Sequence, residues 1–199
     1  HHYTKNLMWI SIQEEFLFMS VIKSLFFVCF LSLSFVSDSF SKDLDILFKN
    51  LLAAKNYQDA EIIEQNIWES WNTHPEKQSL TKKLANGTLS MNKNNYGTAL
   101  ELFTAVIKED PNWAEAWNKR ATLLFLVGNY SQSLKDIEKV LDLEPRHFGA
   151  LSGRAQIYLS YSQYEKALED LKRAKLIYPY IKSGTSIKKI EEIIKELQI

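Results

Sequence analysis

"NWAEAWNKRATLLFLVGNYSQSLKDIEKVLDLEP" (Asn112–Pro145) follows directly on one proline and closes on another, and Pro111, Pro145 and Pro179 are evenly spaced, 34 apart. Other columns keep the same step: Tyr96, Tyr130 and Tyr164; Ala99, Ser133 and Ala167; Phe103, Ile137 and Leu171. At the front of each unit stand the small residues Gly87, Ala121 and Ala155, again 34 apart. Five columns in one register define an internal repeat, and a repeat decides the fold before any local propensity does.

Each unit reads as two helices. Within the quoted stretch the first is predicted at Ala114–Val127, stopped by Gly128-Asn129. The second is predicted at Tyr130–Leu143, with Leu134, Ile137, Val140 and Leu141 at helical spacing. Pro145 disfavours helix just before itself and resets the chain. A two-helix hairpin cannot bury its apolar faces alone, whereas stacked hairpins bury them against each other. The expected class is an all-α solenoid, with each proline ending one hairpin and opening the next.

These columns resemble the tetratricopeptide repeat, W-x2-L-G-x2-Y, then A-x3-F, then P, at a period of 34. The middle unit reads Trp117, Arg120-Ala121, Leu124, Ser133, Ile137, Pro145. The next reads Leu151, Arg154-Ala155, Tyr158, Ala167, Leu171, Pro179, and the earlier one Lys83, Asn86-Gly87, Ser90, Ala99, Phe103, Pro111. Asn86, Arg120 and Arg154 stand where the family has leucine. The resemblance implies a right-handed stack of three units, 80–113, 114–147 and 148–179. Residues 42–79 read as a degenerate first hairpin carrying Leu44, Leu47-Phe48, Leu51, Tyr57 and Ala60. Tyr57 and Tyr96 are farther apart than one period by five positions, and the surplus is assigned to "SWNTHPEK" (Ser70–Lys77). From about Leu44 the chain also resembles exported tetratricopeptide proteins of alphaproteobacteria. Residues 180–199 form an amphipathic helix with Ile187, Ile190, Ile193, Ile194 and Leu197 on one stripe. It reads as a cap on the stack, or alternatively as a helix that pairs two copies.

Charge is balanced, 24 basic against 24 acidic residues. No basic stripe marks a nucleic-acid binder, and no polybasic segment marks a membrane-surface binder. The sequence opens on His1, so residues 1–18 read as upstream or non-native translation, with Met19 the better start. Lys23, the twelve-residue apolar run Leu25–Val36 and the small residues that follow describe a signal peptide over 19–41, cleaved after Ser41. Twelve helical residues span only about 18 Å, short of a bilayer core. The expected location is outside the cytoplasm, in a bacterial periplasm, with an uncleaved membrane anchor as the alternative. The one cysteine, Cys29, lies inside the apolar run, so a chain from Lys42 has neither disulfide nor thiolate chemistry.

The only histidines after Ser41 are His74 and His147, in different units and without metal-ligand spacing. No H-E-x-x-H, Walker A loop, nucleophile elbow or C-x-x-C is present. The expectation is no enzyme, no cofactor and no metal, with His147 capping a helix. Arg120 and Arg154 are 34 apart, as are Asp136 and Asp170, so internal pairs are favoured over an arginine ladder for an acidic ligand. The family resemblance implies a concave groove lined by the first helix of each hairpin, which takes an extended peptide or another protein. Carried over, that surface is Leu84, Thr88 and Met91; Asn118, Thr122 and Phe125; and Ser152, Gln156 and Leu159. The family's carboxylate clamp falls on Leu84, Thr88, Lys119, Gly149 and Gly153, where only Lys119 is suited. The function implied is a non-catalytic binding scaffold of the cell envelope; a self-assembling module or an accessory subunit of an envelope enzyme are the alternatives.

Overall fold

The structure, a computed structural model, describes residues 44–197. The expectations placed on residues 1–18, on the apolar run and on the cleavage site lie outside the described residues. In chain order the helices are α1 (residues 44–53), α2 (Tyr57–Asn72), α3 (Gln78–Asn92), α4 (Tyr96–Glu109), α5 (Ala114–Leu126), α6 (Tyr130–Leu143), α7 (Phe148–Ser160) and α8 (Tyr164–Ile177). A 3-10 turn over Lys182–Ser186 leads to α9 (Ile187–Leu197). The second helix of the quoted unit has the bounds its pattern predicted, and the first ends one residue earlier than predicted.

Three pairs, α3–α4, α5–α6 and α7–α8, are the repeat hairpins. Each turns on a residue in the left-handed region, and the three recur at the repeat period: Asn94 (φ 59°), Gly128 (φ 76°) and Ser162 (φ 55°). The next amide reaches back five residues: Asn95 to Ser90 O (2.9 Å), Asn129 to Leu124 O (2.8 Å) and Gln163 to Tyr158 O (2.8 Å). Those bonds close the helix end with its carbonyls satisfied.

The small columns mark the hairpin contact. Ala99, Ser133 and Ala167 are wholly buried, and Ala121 and Ala155 nearly so. A Cβ on Gly87 would meet the Phe103 ring at 2.6 Å, so that unit has the largest partner against the smallest residue. Ser133 keeps the polar alternative satisfied, its Oγ donating to the Ala121 carbonyl at 2.8 Å. The arginines are internal, as their spacing suggested. Arg120 makes two bonds to Asp136 (2.7 and 2.9 Å), and Arg154 two to Asp170 (2.7 Å each). At the far end α9 lays Ile190 against Ala155, Ala167 and Leu171, with Ile187 and Ile194 beside it. Three residues of its apolar stripe are therefore used within the chain, while Leu197 stays exposed.

The N-terminal pair departs from expectation. It does not stack in front of α3 as a degenerate fourth hairpin. Leu44, Phe48 and Leu51 of α1 join Ala60, Ile67 and Trp71 of α2 in one cluster with Phe148, Leu151, Ala174 and Tyr178. Helix α2 thus runs across the connections between repeats, in reverse order. Lys182 lies over the Tyr57 ring, Tyr178 donates to Glu64 (2.9 Å), Trp68 abuts Gly149 and His147, and Trp113 donates to the Trp71 carbonyl (2.9 Å). Just past its end, His74 bonds Asp110 at 2.8 Å. Arg146 ties Glu144 to Asp45 of α1.

The reason lies in the front face of α3. Where α5 and α7 bury Ala116 with Leu123 and Ala150 with Ile157, α3 carries exposed Lys82 and Leu89. No apolar face awaits a preceding hairpin there, so the large apolar side chains of α1 and α2 are buried on α7 and α8 instead. The surplus of five positions is also distributed differently. Helices α2 and α3 are each two residues longer than their counterparts α4 and α5, and the connection 73–77 is one longer than 110–113. Ser70, Trp71 and Asn72 belong to α2, not to an irregular loop.

Candidate functional site

The first helices α3, α5 and α7 present the concave face, and α2 covers part of it. Its Trp68 ring rests on Gly149, the second residue of α7. On α5 the second residue is Glu115, only 1% exposed. Glu115 accepts from His147 Nε2 (3.0 Å) and pairs with Lys119 (3.0 Å), while Asn118 donates to the same carboxylate (3.1 Å). Burial alone would raise the Glu115 carboxyl, but the His147 N–H and the Lys119 ammonium outweigh it and hold the group below the ordinary carboxylate value.

His147 caps α7, as its position implied: Nδ1 accepts from the Ala150 amide at 3.0 Å, so Nε2 carries the proton given to Glu115. Its ring lies flat on Trp71, centroids 4.0 Å apart and 7° from parallel. His74 repeats the arrangement, accepting from the amides of Glu76 and Lys77 and bonding Asp110. Both histidines are thereby committed to structure. Among the described residues no three His, Cys, Asp or Glu side chains converge as metal ligands.

Five of the nine groove residues come together around one cleft of about 210 Å³: Asn118, Thr122 and Phe125 of α5 with Ser152 and Gln156 of α7. Ile137 of α6 lies behind them, and Gly149 and Gly153 open the α7 side. Thr122 Oγ1 donates to the Asn118 carbonyl (2.9 Å), and Phe125 packs near Tyr130, centroids 5.4 Å apart. The lining carries no formal charge. A second hollow of about 240 Å³, between α2 and α7, shares Gly149 and Ser152 with the first and adds Trp68, Glu64 and Lys182.

The remaining residues sit differently. Leu84 is 1% exposed, packed with Leu80 and Phe103, so it is core and offers nothing to a ligand. Asn118 is 8% exposed, at the cleft's inner edge with its amide turned to Glu115. Met91 packs beside the α3–α4 core, Thr88 donates to the Leu84 carbonyl, and Leu159 lies against the cluster that holds α9. Ser152 shares a hydrogen bond with Ser183 (2.8 Å). Lys119, the one clamp position with a cation, is paired to Glu115. Sequence reasoning missed Trp68 and Trp71 as groove neighbours. The signal was Gly149, an early helical glycine where the preceding unit has Glu115.

Comparison with known proteins agrees with this geometry. Residues 119–180 match the family model described as tetratricopeptide repeat. No curated protein matches the sequence. Among solved structures, the first TPR of Spaghetti (RPAP3), bound to the HSP90 peptide SRMEEVD, superposes with a TM-score of 0.57 at 18% identity, over 60% of this chain and 96% of that one. The Sgt2 TPR domain from Aspergillus fumigatus gives 0.57 at 17% identity, over 61% and 83%. The TPR2B-domain:pHsp70-complex of yeast Sti1 gives 0.51 at 22% identity, over 58% and 93%. At such identities the likeness speaks to the fold. The repeat columns, the stacked hairpins and the matched segment agree: residues 119–180 match the tetratricopeptide repeat in sequence, and the hairpins share its fold.

Proposed function

We propose that the chain is a non-catalytic scaffold that binds another protein or a peptide through the uncovered part of its concave face, and that it works after export, in the cell envelope. Tetratricopeptide folds generally mediate protein or peptide binding. The observation that carries the reading is the cleft between α5 and α7, where Thr122, Phe125 and Gln156 remain accessible beside buried neighbours. Hydroxyls and an amide suit a peptide backbone, and Phe125 suits an apolar side chain. The envelope setting rests on the apolar run Leu25–Val36 and the small residues after it.

The test is capture of the partner by crosslinking and pull-down from the native envelope, followed by titration against wild type, Phe125→Ala and a Thr122→Ala/Gln156→Ala double variant. Phe125→Ala should weaken binding by about 1–3 kcal/mol, the range of interface anchors. Unchanged affinity in both variants, with helical spectra intact, would move the binding surface elsewhere.

A further inference from the structure

We propose that the hollow between α2 and α7 binds a small zwitterion, a methylated ammonium joined through a short spacer to a carboxylate. Its chemistry differs from that of the cleft between α5 and α7, which carries no formal charge. The hollow, of about 240 Å³, is lined by both a carboxylate, Glu64, and an ammonium, Lys182. Both bonds to Glu64 come from neutral donors, Trp68 Nε1 at 3.2 Å to one oxygen and the Tyr178 hydroxyl at 2.9 Å to the other. Burial, with the bond to Glu64, holds the Tyr178 phenol well above its ordinary value, so it stays a neutral donor. Lys182 lies over the Tyr57 ring, 5.5 Å from its centroid, and among the described residues no cation pairs with Glu64. Each carboxylate oxygen keeps a lone pair for a ligand.

The surroundings of each charge define the ligand. Beside Glu64 stand three rings: Trp68 and Phe148 are 5.6 Å apart at 89°, Phe148 and Tyr178 5.4 Å apart at 58°. Walls set at such angles suit an ammonium that carries methyl groups, whose charge is drawn to aromatic rings. A primary ammonium has three N–H donors to satisfy and would meet rings there in place of acceptors. Next to Lys182 in the chain, Ser183 shares a hydrogen bond of 2.8 Å with Ser152. That pair uses one hydroxyl hydrogen of the two, leaving the other, with the Lys182 ammonium, for an anionic oxygen. Tyr57, which lies under Lys182, and Glu64 are separated on α2 by a rise of about 10.5 Å. A molecule whose two charges are a few bonds apart bridges that span with one contact at each end. The volume lies below that of drug-sized sites and fits a molecule of this size.

The experiment titrates the full chain with glycine betaine and follows by NMR the indole N–H signal of Trp68, the group bonded to Glu64. A saturable shift is expected. Glycine, tetramethylammonium and acetate should each bind about tenfold more weakly, the loss that follows from removing one charge or one cation–ring contact. Glu64→Gln keeps an acceptor for Trp68 while removing the charge, and should weaken betaine about tenfold. Lys182→Gln, at an exposed position, should weaken it by about the same factor. Glu69→Gln removes an equal charge from an exposed position of α2 outside the hollow and should leave the titration unchanged. Helical spectra check that each variant is folded. Absence of a saturable shift, or equal affinity in Glu64→Gln and Glu69→Gln, overturns the site. Glycine that binds as tightly as betaine overturns the methylated ammonium. Tetramethylammonium that binds as tightly, or indifference to Lys182→Gln, overturns the carboxylate contact. The cleft between α5 and α7 stands or falls separately, by partner capture and Phe125→Ala.

Discussion

The Trp68 indole rests directly on the Gly149 backbone: a methyl group added there would sit 2.6 Å from the ring's Cη2 atom. Trp68 cannot easily turn aside, because its ring also meets Trp71 edge-on at 5.1 Å and Phe148 at 5.6 Å. Gly149→Ala is therefore expected to cost about 1–3 kcal/mol by overpacking. Gly153→Ala, four residues on, meets only Ile137 Cδ1 at 4.0 Å and serves as the control. Denaturant melts check both. Equal stability of the two variants would mean that α2 does not seat on α7.

Removing one member of the ion pair that joins the two helices of a hairpin should be severe. Asp136 is 1% exposed, and Arg120 offers it a two-pronged bond. Asp136→Ala leaves a mostly buried guanidinium without its anion, expected to cost about 3 kcal/mol or more. Urea midpoints measure it, and a loss below about 1 kcal/mol would show that Arg120 swings out to water.

Stability should respond to acid through Glu115. Its carboxyl is held below the ordinary value of 4.5, so the folded state binds its proton less readily than the unfolded chain does. The contribution is complete above about pH 4.5 and is lost as pH falls through the lowered folded value. Thermal melts from pH 7 down to pH 3 should show a decline that Glu115→Gln reduces. An identical acid profile in that variant would place the acid sensitivity on other carboxylates.

Ser162 holds a left-handed φ of 55° in the column where the preceding unit has Gly128. Ser162→Gly relieves about 1 kcal/mol of strain and adds about 0.5 kcal/mol of unfolded-state entropy. A net gain of about 0.5 kcal/mol is expected by calorimetry. A loss would indicate that the serine side chain stabilises the turn by more than the strain it imposes.

Export, if it occurs as proposed, leaves a definite product. Mass spectrometry of the native protein should find an amino terminus close to Lys42. Recovery of the intact Leu25–Val36 segment in a membrane fraction would reject cleavage and favour an anchor.

What the sequence disclosed well was periodic. Tyr96, Tyr130 and Tyr164 each open a second helix, and the paired spacing of Arg120/Asp136 and Arg154/Asp170 foretold two ion pairs. A column repeats because the same local contact repeats, so it is visible without coordinates. The position of α1–α2 was hidden because it depends on contacts made once. Glu64 meets Tyr178, and Trp71 meets Trp113, each across more than a full period of chain. Neither pair has a counterpart one period away. Leu84 was misplaced for a related reason. Its column faces the groove in α5 and α7, but as leucine it turns into the α3–α4 core.

A linear array of repeats touches only its neighbours and tends to fray from either end, with stability that adds unit by unit. Here α2 and the residues just past it tie down the connections of all three hairpins, α2 reaching the last at Tyr178 and His74 the first at Asp110. Such long-range contacts raise contact order and slow folding, because the final cluster forms only once α7 and α8 are in place to receive Phe48 and Trp71. In exchange the terminal hairpin gains partners far along the chain. The molecule is therefore expected to unfold more cooperatively than a bare array of repeats, with no single hairpin peeling away while the strap holds.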